Sequence, residues 1–180
     1  MEVFTLILLW LLEIALVAVA ITTLYFGLMG FWNVPWVRTS KETTREMLKM
    51  ADLKPGEKMI DYGCGDGTSC IVGAKEFGAT AEGVEIIPLL VYWGNKLAKW
   101  NDVEDKVQLK VGDMFKKEPN DADVVFLYLF TETNAKLEPI LKKHCRPGTR
   151  VITRVFSFPT LPLKEEKVIN GDKIRLYIIP

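Results

Sequence analysis

Residues 59–70 read MIDYGCGDGTSC. A short apolar run enters a turn with glycine at 63, 65 and 67, and a helix-compatible segment follows to about residue 77. Glycine lets a backbone turn sharply at positive φ and approach a ligand closely. A plain strand-to-helix turn does not need three alternating glycines. The stretch therefore reads as strand, ligand-holding turn, helix, and it sets the fold class for everything after it.

Outward from this turn, strand and helix signals alternate. Residues 58–62 are the first expected strand, 81–85 the second and 106–111 the third. DVVFLYL (123–129) is a continuous apolar run, as expected of a strand buried on both faces, and 149–156 is a fifth. Helices are expected to about residue 77, from Pro88 to about Trp100, where proline suits the first turn, and over 132–145. Two S/T-x-x-E patterns, Thr39–Glu42 and Thr43–Glu46, predict a short capped helix upstream. Asn170-Gly171 between 166–169 and 173–179 predicts a terminal hairpin. The order implies an α/β, mainly parallel sheet ending in an antiparallel pair. Trp93 and Trp100, on one helix, read as core residues.

In open α/β sheets ligands bind beyond the carboxyl ends of the strands. The spacing is G-x-G-x-G, with Thr68 where the dinucleotide fingerprint places its third glycine, and no Gly-Lys-Ser/Thr follows as in a P-loop. Asp61 and Asp66 add negative charge, which suits an ammonium or sulfonium group better than a pyrophosphate. Glu85 ends the second strand, where a carboxylate accepts ribose hydroxyls. Asp113 ends the third and can accept an adenine amino group. Acids at consecutive strand tips around an acidic glycine loop imply S-adenosylmethionine. A nicotinamide dinucleotide remains the alternative.

The 180-residue chain is 49% apolar, unevenly distributed. Residues 3–32 carry a single charge, Glu13. As a helix they would extend about 45 Å, against a hydrocarbon core of ~30 Å. An uncleaved transmembrane anchor is expected rather than a signal peptide. Ala18-Val19-Ala20 resembles a cleavage site, but Met1-Glu2 carries no cation and the apolar run continues well past it. Trp32 and Trp36 suit an interfacial belt. Arg38, Lys41, Arg45 and Lys49 follow, so by the positive-inside rule the remainder faces the cytoplasm or an equivalent inner side. Glu13 reads as a snorkelling or helix-pairing carboxylate. All 23 Lys and Arg follow residue 37, and of the 23 acids only Glu2 and Glu13 precede it, leaving the remainder near neutral. With no basic run among aromatics, nucleic acid is not expected as a partner. Cys64, Cys70 and Cys145 read as free thiols. His144 is the one histidine, which argues against a His triad or a His-rich metal site.

The motif order resembles the class I, seven-β-strand methyltransferases that use S-adenosylmethionine. A closer resemblance covers nearly the whole chain: the apolar N-terminal segment, PWVRTS (35–40), MIDYGCGDG (59–67), EGVEIIPLLVYWGNKLAKW (82–100), VGDMF (111–115), DVVFLYLF (123–130) and RPGTRVITRVFSFP (146–159). Together these look like the small membrane-anchored protein-lysine methyltransferases, whose mitochondrial members modify the adenine nucleotide translocase and the ATP synthase c-subunit. The resemblance implies a Rossmann-like fold. It implies an anchor at 1–32, a linker and helix at 33–57, and a methyltransferase domain at 58–180. It places cofactor methionine near Asp61, Gly63 and Gly65, ribose on Glu85 and adenine near Asp113 and Met114, with Cys64, Asp66, Gly67, Ile86 and Thr39 completing the set. Arg38 stands where proline is usual among such proteins, and Thr131 where they often have proline.

The chemistry implied is in-line methyl transfer to a lysine amine of a membrane-associated protein. An apolar, aromatic-walled site favours the neutral amine. Trp36, Phe130, Phe156 and Phe158 are the candidate wall, and Tyr128 and Glu132 the candidates to orient the amine. No Asn/Asp-Pro-Pro-Tyr follows the fourth strand, which argues against nucleobase or amide acceptors. A lipid headgroup or small hydrophobic amine is the alternative acceptor, and a cofactor-binding scaffold without turnover the non-enzymatic one.

Overall fold

The computed structural model describes residues 2–31, 37–119 and 121–180. The expected roles of Trp32, Pro35 and Trp36 fall outside the described residues. The chain separates into two compact units, Met1–Val37 and Arg38–Pro180.

Among its described residues, the first unit holds one helix, α1 (Glu2–Phe31). Its Val3–Tyr25 stretch has mean hydropathy 2.7 and is exposed throughout, so by length and composition it can cross a membrane. Signal sequences meet the same criterion. The hydroxyls of Thr22 and Thr23 donate back to the carbonyls of Ala18 and Val19, at 2.7 and 2.9 Å. Such back-bonding satisfies a polar group where no water is available.

The second unit is a seven-stranded sheet ordered β3-β2-β1-β4-β5-β7-β6. The strands are β1 (Lys58–Tyr62), β2 (Thr80–Glu85), β3 (Val107–Val111), β4 (Val124–Leu127), β5 (Arg150–Arg154), β6 (Leu163–Ile169) and β7 (Asp172–Ile178). The first five pair in parallel, whereas β7 is antiparallel to both β5 and β6. Helices are α2 (Lys41–Met50), α3 (Thr68–Phe77), α4 (Pro88–Trp100) and α5 (Thr131–His144), and Met114–Lys116 forms a 3-10 turn. The strand order reverses between β1 and β4, which opens a crevice at their carboxyl ends.

The central strands are buried on both faces. Met59, Val124, Phe126 and Ile152 join α2, α3 and α4 in one core cluster. Ile60, Tyr62, Val125, Leu127 and Val151 join Leu137 and Leu141 of α5 in the other. That is why β4 reads as an unbroken apolar run. Arg150 fastens α2 to the sheet: its Nη1 donates to the carbonyls of Ala51 and Asp52, and its Nη2 lies 2.7 Å from Glu57.

Several boundaries depart from the expectations. The cap of α2 is Ser40, whose Oγ accepts from Thr43 N at 3.1 Å, one residue after the start of the first S/T-x-x-E pattern and three before that of the second. β6 begins at Leu163 rather than 166, because the hairpin pairs through a bulge between Leu163 and Glu165. β5 stops at Arg154 because Val155 adopts φ 64°. Trp93 and Trp100 are corrected from core to surface: their rings touch each other edge to face at 5.3 Å, and both are exposed. The inward face of α4 is instead Val91, Gly94 and Ala98.

Candidate active site

All three loop glycines have positive φ: 77° at Gly63, 56° at Gly65 and 72° at Gly67. Space is restricted too, since a Cβ at Gly67 would collide with Leu109 Cδ1. The loop is pinned by Gly63 N donating to Val84 O at 2.8 Å and by Gly65 N donating to Glu85 Oε2 at 3.0 Å. α4 closes on the loop from the side, where Gly94 makes the approach possible: a Cβ there would meet Asp66 O at 2.7 Å.

Four acids converge on this edge. Asp61, near the end of β1, is buried and accepts a hydrogen bond from the Ser69 hydroxyl. Burial raises its pKa from 3.8 to about 7; the Ser69 bond opposes the rise, and the charges of Glu85 and Asp66 add to it. Asp66 is also buried, accepts from Thr68 N and Oγ1 at 3.2 and 2.7 Å, and pairs with the Arg38 guanidinium. Glu85 accepts from three backbone amides, those of Gly65, Ile86 and Ile87. A carboxylate has about four acceptor positions, so one remains open on Oε2. Asp113 caps the 3-10 turn by accepting from Phe115 N at 2.9 Å, with Met114 half-buried behind it and Ile86 on the rim.

Asp61, Asp66 and Glu85 against a single guanidinium leave the loop net acidic. A sulfonium and an ammonium are compensated there, and a pyrophosphate would be repelled. Three positive-φ glycines, an acidic cradle and a carboxylate with one free acceptor position thus fit S-adenosylmethionine. No thiol competes for this role. Cys64, Cys70 and Cys145 are free and buried, and burial holds each thiol above its ordinary value, Cys145 at about 11.

An aromatic group stands beyond β4 and β5. Tyr128 stacks on Phe156 at 6.1 Å, and Phe130 meets Phe156 edge-on at 5.1 Å. The Arg154 guanidinium lies 4.5 Å from the centre of the Tyr128 ring, while its Nε donates to Asp172 at 2.7 Å and its Nη1 to Thr39 Oγ1 at 3.4 Å. Phe158 is not with them; it is buried against Tyr177 at 5.3 Å in the core under α5. Glu132 is exposed in the first turn of α5.

Phe156 is aimed by unusual backbone. Its N donates to Arg154 O at 2.7 Å, closing a γ-turn around Val155. Positive φ in a β-branched residue is a genuine outlier, of the kind that concentrates at functional sites. Thr153 Oγ1 and Asn134 Nδ2 both donate to Phe156 O, at 2.9 and 3.4 Å. Asn134 is completely buried, and its Oδ1 has no partner among the described residues. Asn134, Arg154 and Ser69 were not singled out in the sequence. For Asn134 the available signal was its spacing: 134, 137, 138 and 141 share one helix stripe, which the structure buries.

Comparison with known proteins agrees with this geometry. Residues 61–165 match the ANTKMT methyltransferase domain. A protein-lysine N-methyltransferase of Saccharolobus islandicus is 32% identical over 152 residues, spanning 82% of this chain and 94% of the relative. A human lysine N-methyltransferase of the ATP synthase c-subunit is 28% identical over 127 residues, spanning 70% of this chain and 53% of that protein. The crystal structure of an RNA methyltransferase from Salinibacter ruber, in complex with S-adenosyl-L-homocysteine, superposes with a TM-score of 0.78 at 36% identity, covering 80% of this chain and 94% of that one. Fold and site thus define an S-adenosylmethionine-dependent methyltransferase of the Rossmann-like class. Within that class, the chain belongs to the ANTKMT methyltransferase domain family.

Proposed function

We propose that this enzyme methylates lysine side chains of a membrane-associated protein, held at the bilayer by α1. The observation that carries the lysine assignment is the likeness to an archaeal protein-lysine N-methyltransferase over nearly that protein's whole length. The aromatic group supports it. A lysine amine has an unperturbed pKa near 10.4 and must be neutral to attack. A wall of Tyr128, Phe130 and Phe156 disfavours the ammonium form by excluding water. Arg154 is paired with Asp172, so it contributes a flat surface behind Tyr128 more than a free charge. Tyr128 and Glu132 are the groups we assign to orient the amine.

Bound S-adenosylmethionine would supply an electrophilic methyl group on a sulfonium. Asp61, Asp66 and the Gly63–Gly67 backbone would hold its amino-acid end, Glu85 the ribose, and Asp113, Met114 and Ile86 the adenine. Thr39, which accepts from Arg154, joins the methionine side to the aromatic group. Residues 1–32 are assigned as anchor, 33–57 as linker and helix, and 58–180 as the methyltransferase domain. The cations after residue 37 support an orientation with that domain on the cytoplasmic or equivalent inner side.

A second reading, an RNA acceptor, has the Salinibacter ruber neighbour in its favour. The near-neutral domain and the lack of an Asn/Asp-Pro-Pro-Tyr motif weigh against it. Incubation with labelled S-adenosylmethionine, membranes and total RNA, followed by separation of protein, lipid and RNA, decides among acceptors. Label is expected in protein, as methyl-lysine by mass spectrometry. Label confined to lipid or RNA would overturn the proposal.

A further inference from the structure

α4 is amphipathic in an inverted sense. Its small residues Val91, Gly94 and Ala98 are buried against the sheet and the glycine loop. Its bulkiest residues face outward: Leu89 is 71% exposed, Tyr92 61%, Trp93 47% and Trp100 64%. Positions 89, 92, 93, 96 and 100 fall on one helical stripe. The fifth member is Lys96, whose Nζ lies 5.6 Å from the Tyr92 ring centre. The helix contains two lysines, Lys96 and Lys99, and no acid. A contiguous aromatic surface of this kind on a folded domain marks an interaction site.

The composition of the stripe identifies its occupant. Trp and Tyr carry an apolar body and a polar tip, and they concentrate at the level of lipid headgroups. Lysines beside them reach phosphates, and α4 itself adds no acid to repel anionic lipid, although Asp102, Glu104 and Asp105 follow its end. A second copy of this chain fits poorly. A two-fold contact sets the stripe against itself, bringing Lys96 and Lys99 toward their own copies with no acid on α4 to pair them. A helical protein partner would be met by an aliphatic seam, and the stripe offers one aliphatic residue, Leu89.

We propose that the Leu89–Trp100 face of α4 lies in the headgroup layer of the membrane that α1 enters. This inference rests on the anchored reading given above. The domain would then meet the bilayer through a surface of its own, in addition to the spanning helix. The interfacial contact would also reach the cofactor loop without an intervening side chain, through Gly94 and the Asp66 carbonyl.

The test uses the full chain in nanodiscs of phosphatidylcholine, phosphatidylglycerol and phosphatidylethanolamine, with matched discs brominated near the headgroup or near the acyl ends. One variant keeps Trp93 and Trp100 (W10F, W32F, W36F); a second keeps Trp10 alone (W32F, W36F, W93F, W100F). The first is expected to emit to the blue and to be quenched more by the shallow bromines, the second to be quenched by the deep ones. A quenched Trp10 beside water-like, unquenched Trp93 and Trp100 would overturn the inference and leave the anchor standing. An unquenched Trp10 would overturn the anchored reading itself. A blue shift without bromine quenching that grows with the number of copies per disc would mean a protein contact, and would equally overturn the inference. Should the variants fail to bind S-adenosylhomocysteine, the unsubstituted chain is treated with a short amine-to-amine cross-linker. Adducts of phosphatidylethanolamine at Lys96 and Lys99 are expected, and their absence contradicts the proposal.

Discussion

Asp61→Asn is the substitution with the largest calculable consequence. Asp61 is 4% exposed, and its carboxyl rises from 3.8 to about 7, first because burial disfavours the charge. Between those two values the folded state holds a proton that the unfolded state has released. Stability from this group is therefore fully present below about pH 4 and is lost as pH climbs to about 7. A shift of about three units corresponds to at most roughly 4 kcal/mol in the cofactor-free protein. Asparagine cannot ionise, so the variant escapes this loss while forfeiting the attraction for the cofactor's ammonium and sulfonium. Urea unfolding of parent and variant, both without cofactor and in one detergent, should show the variant gaining on the parent by about 3 kcal/mol between pH 5 and pH 8. Calorimetry should show the variant's affinity for S-adenosylmethionine sharply reduced at both pH values. If the two unfolding curves keep a constant separation across that range, Asp61 does not titrate near neutrality and the reasoning fails.

For the parent, affinity for S-adenosylmethionine should rise between pH 6 and pH 8, as Asp61 loses its proton to solvent and its carboxylate pairs with the incoming cation; a flat calorimetric profile would contradict this. Gly67→Ala combines positive φ with a collision against Leu109; it should cost about 1–3 kcal/mol of stability and most S-adenosylhomocysteine binding, read by thermal melting and calorimetry. Val155→Gly relieves the γ-turn, and should leave stability unchanged or raised by up to ~1 kcal/mol while lowering kcat through a less fixed Phe156; a loss of several kcal/mol would refute the strain. The three cysteines should resist a thiol reagent in the folded protein and react fully in denaturant, and fast native labelling would show that they are not buried.

The βα series was legible because strands buried on both faces read as near-continuous apolar runs, as in DVVFLYL. The candidate cofactor loop, with the acids around it, was legible for a related reason. Its acids sit at strand tips, and a glycine at positive φ has few substitutes. Tyr128, Phe130 and Phe156 also met as their positions after β4 and β5 implied. Phe158 did not, since one γ-turn at Val155 reverses the chain and sends it into the core. No sequence pattern announces a valine at φ 64°. The partners of Asp61 and Asp66 were hidden for a different reason: Ser69 and Arg38 are ordinary residue types whose roles depend on where α3 and the segment before α2 come to lie. Trp93 and Trp100 misled because large aromatics on a helix usually face inward. Here Val91, Gly94 and Ala98 take that place, since the glycine loop leaves no room for more.

The sheet order has a consequence for how the protein is made. β7 is the last strand in sequence order, yet it sits between β5 and β6, so the edge of β5 stays uncovered until residues 172–178 emerge. An N-terminal helix destined for the membrane would have left the ribosome long before. The domain would then complete its sheet while already tethered to a surface, with a sticky β5 edge exposed in the interval. Dilution along a membrane, away from other nascent chains, would protect that edge, and detachment would remove the protection. Loss of α1 should therefore be felt first as aggregation during synthesis, before any effect on turnover.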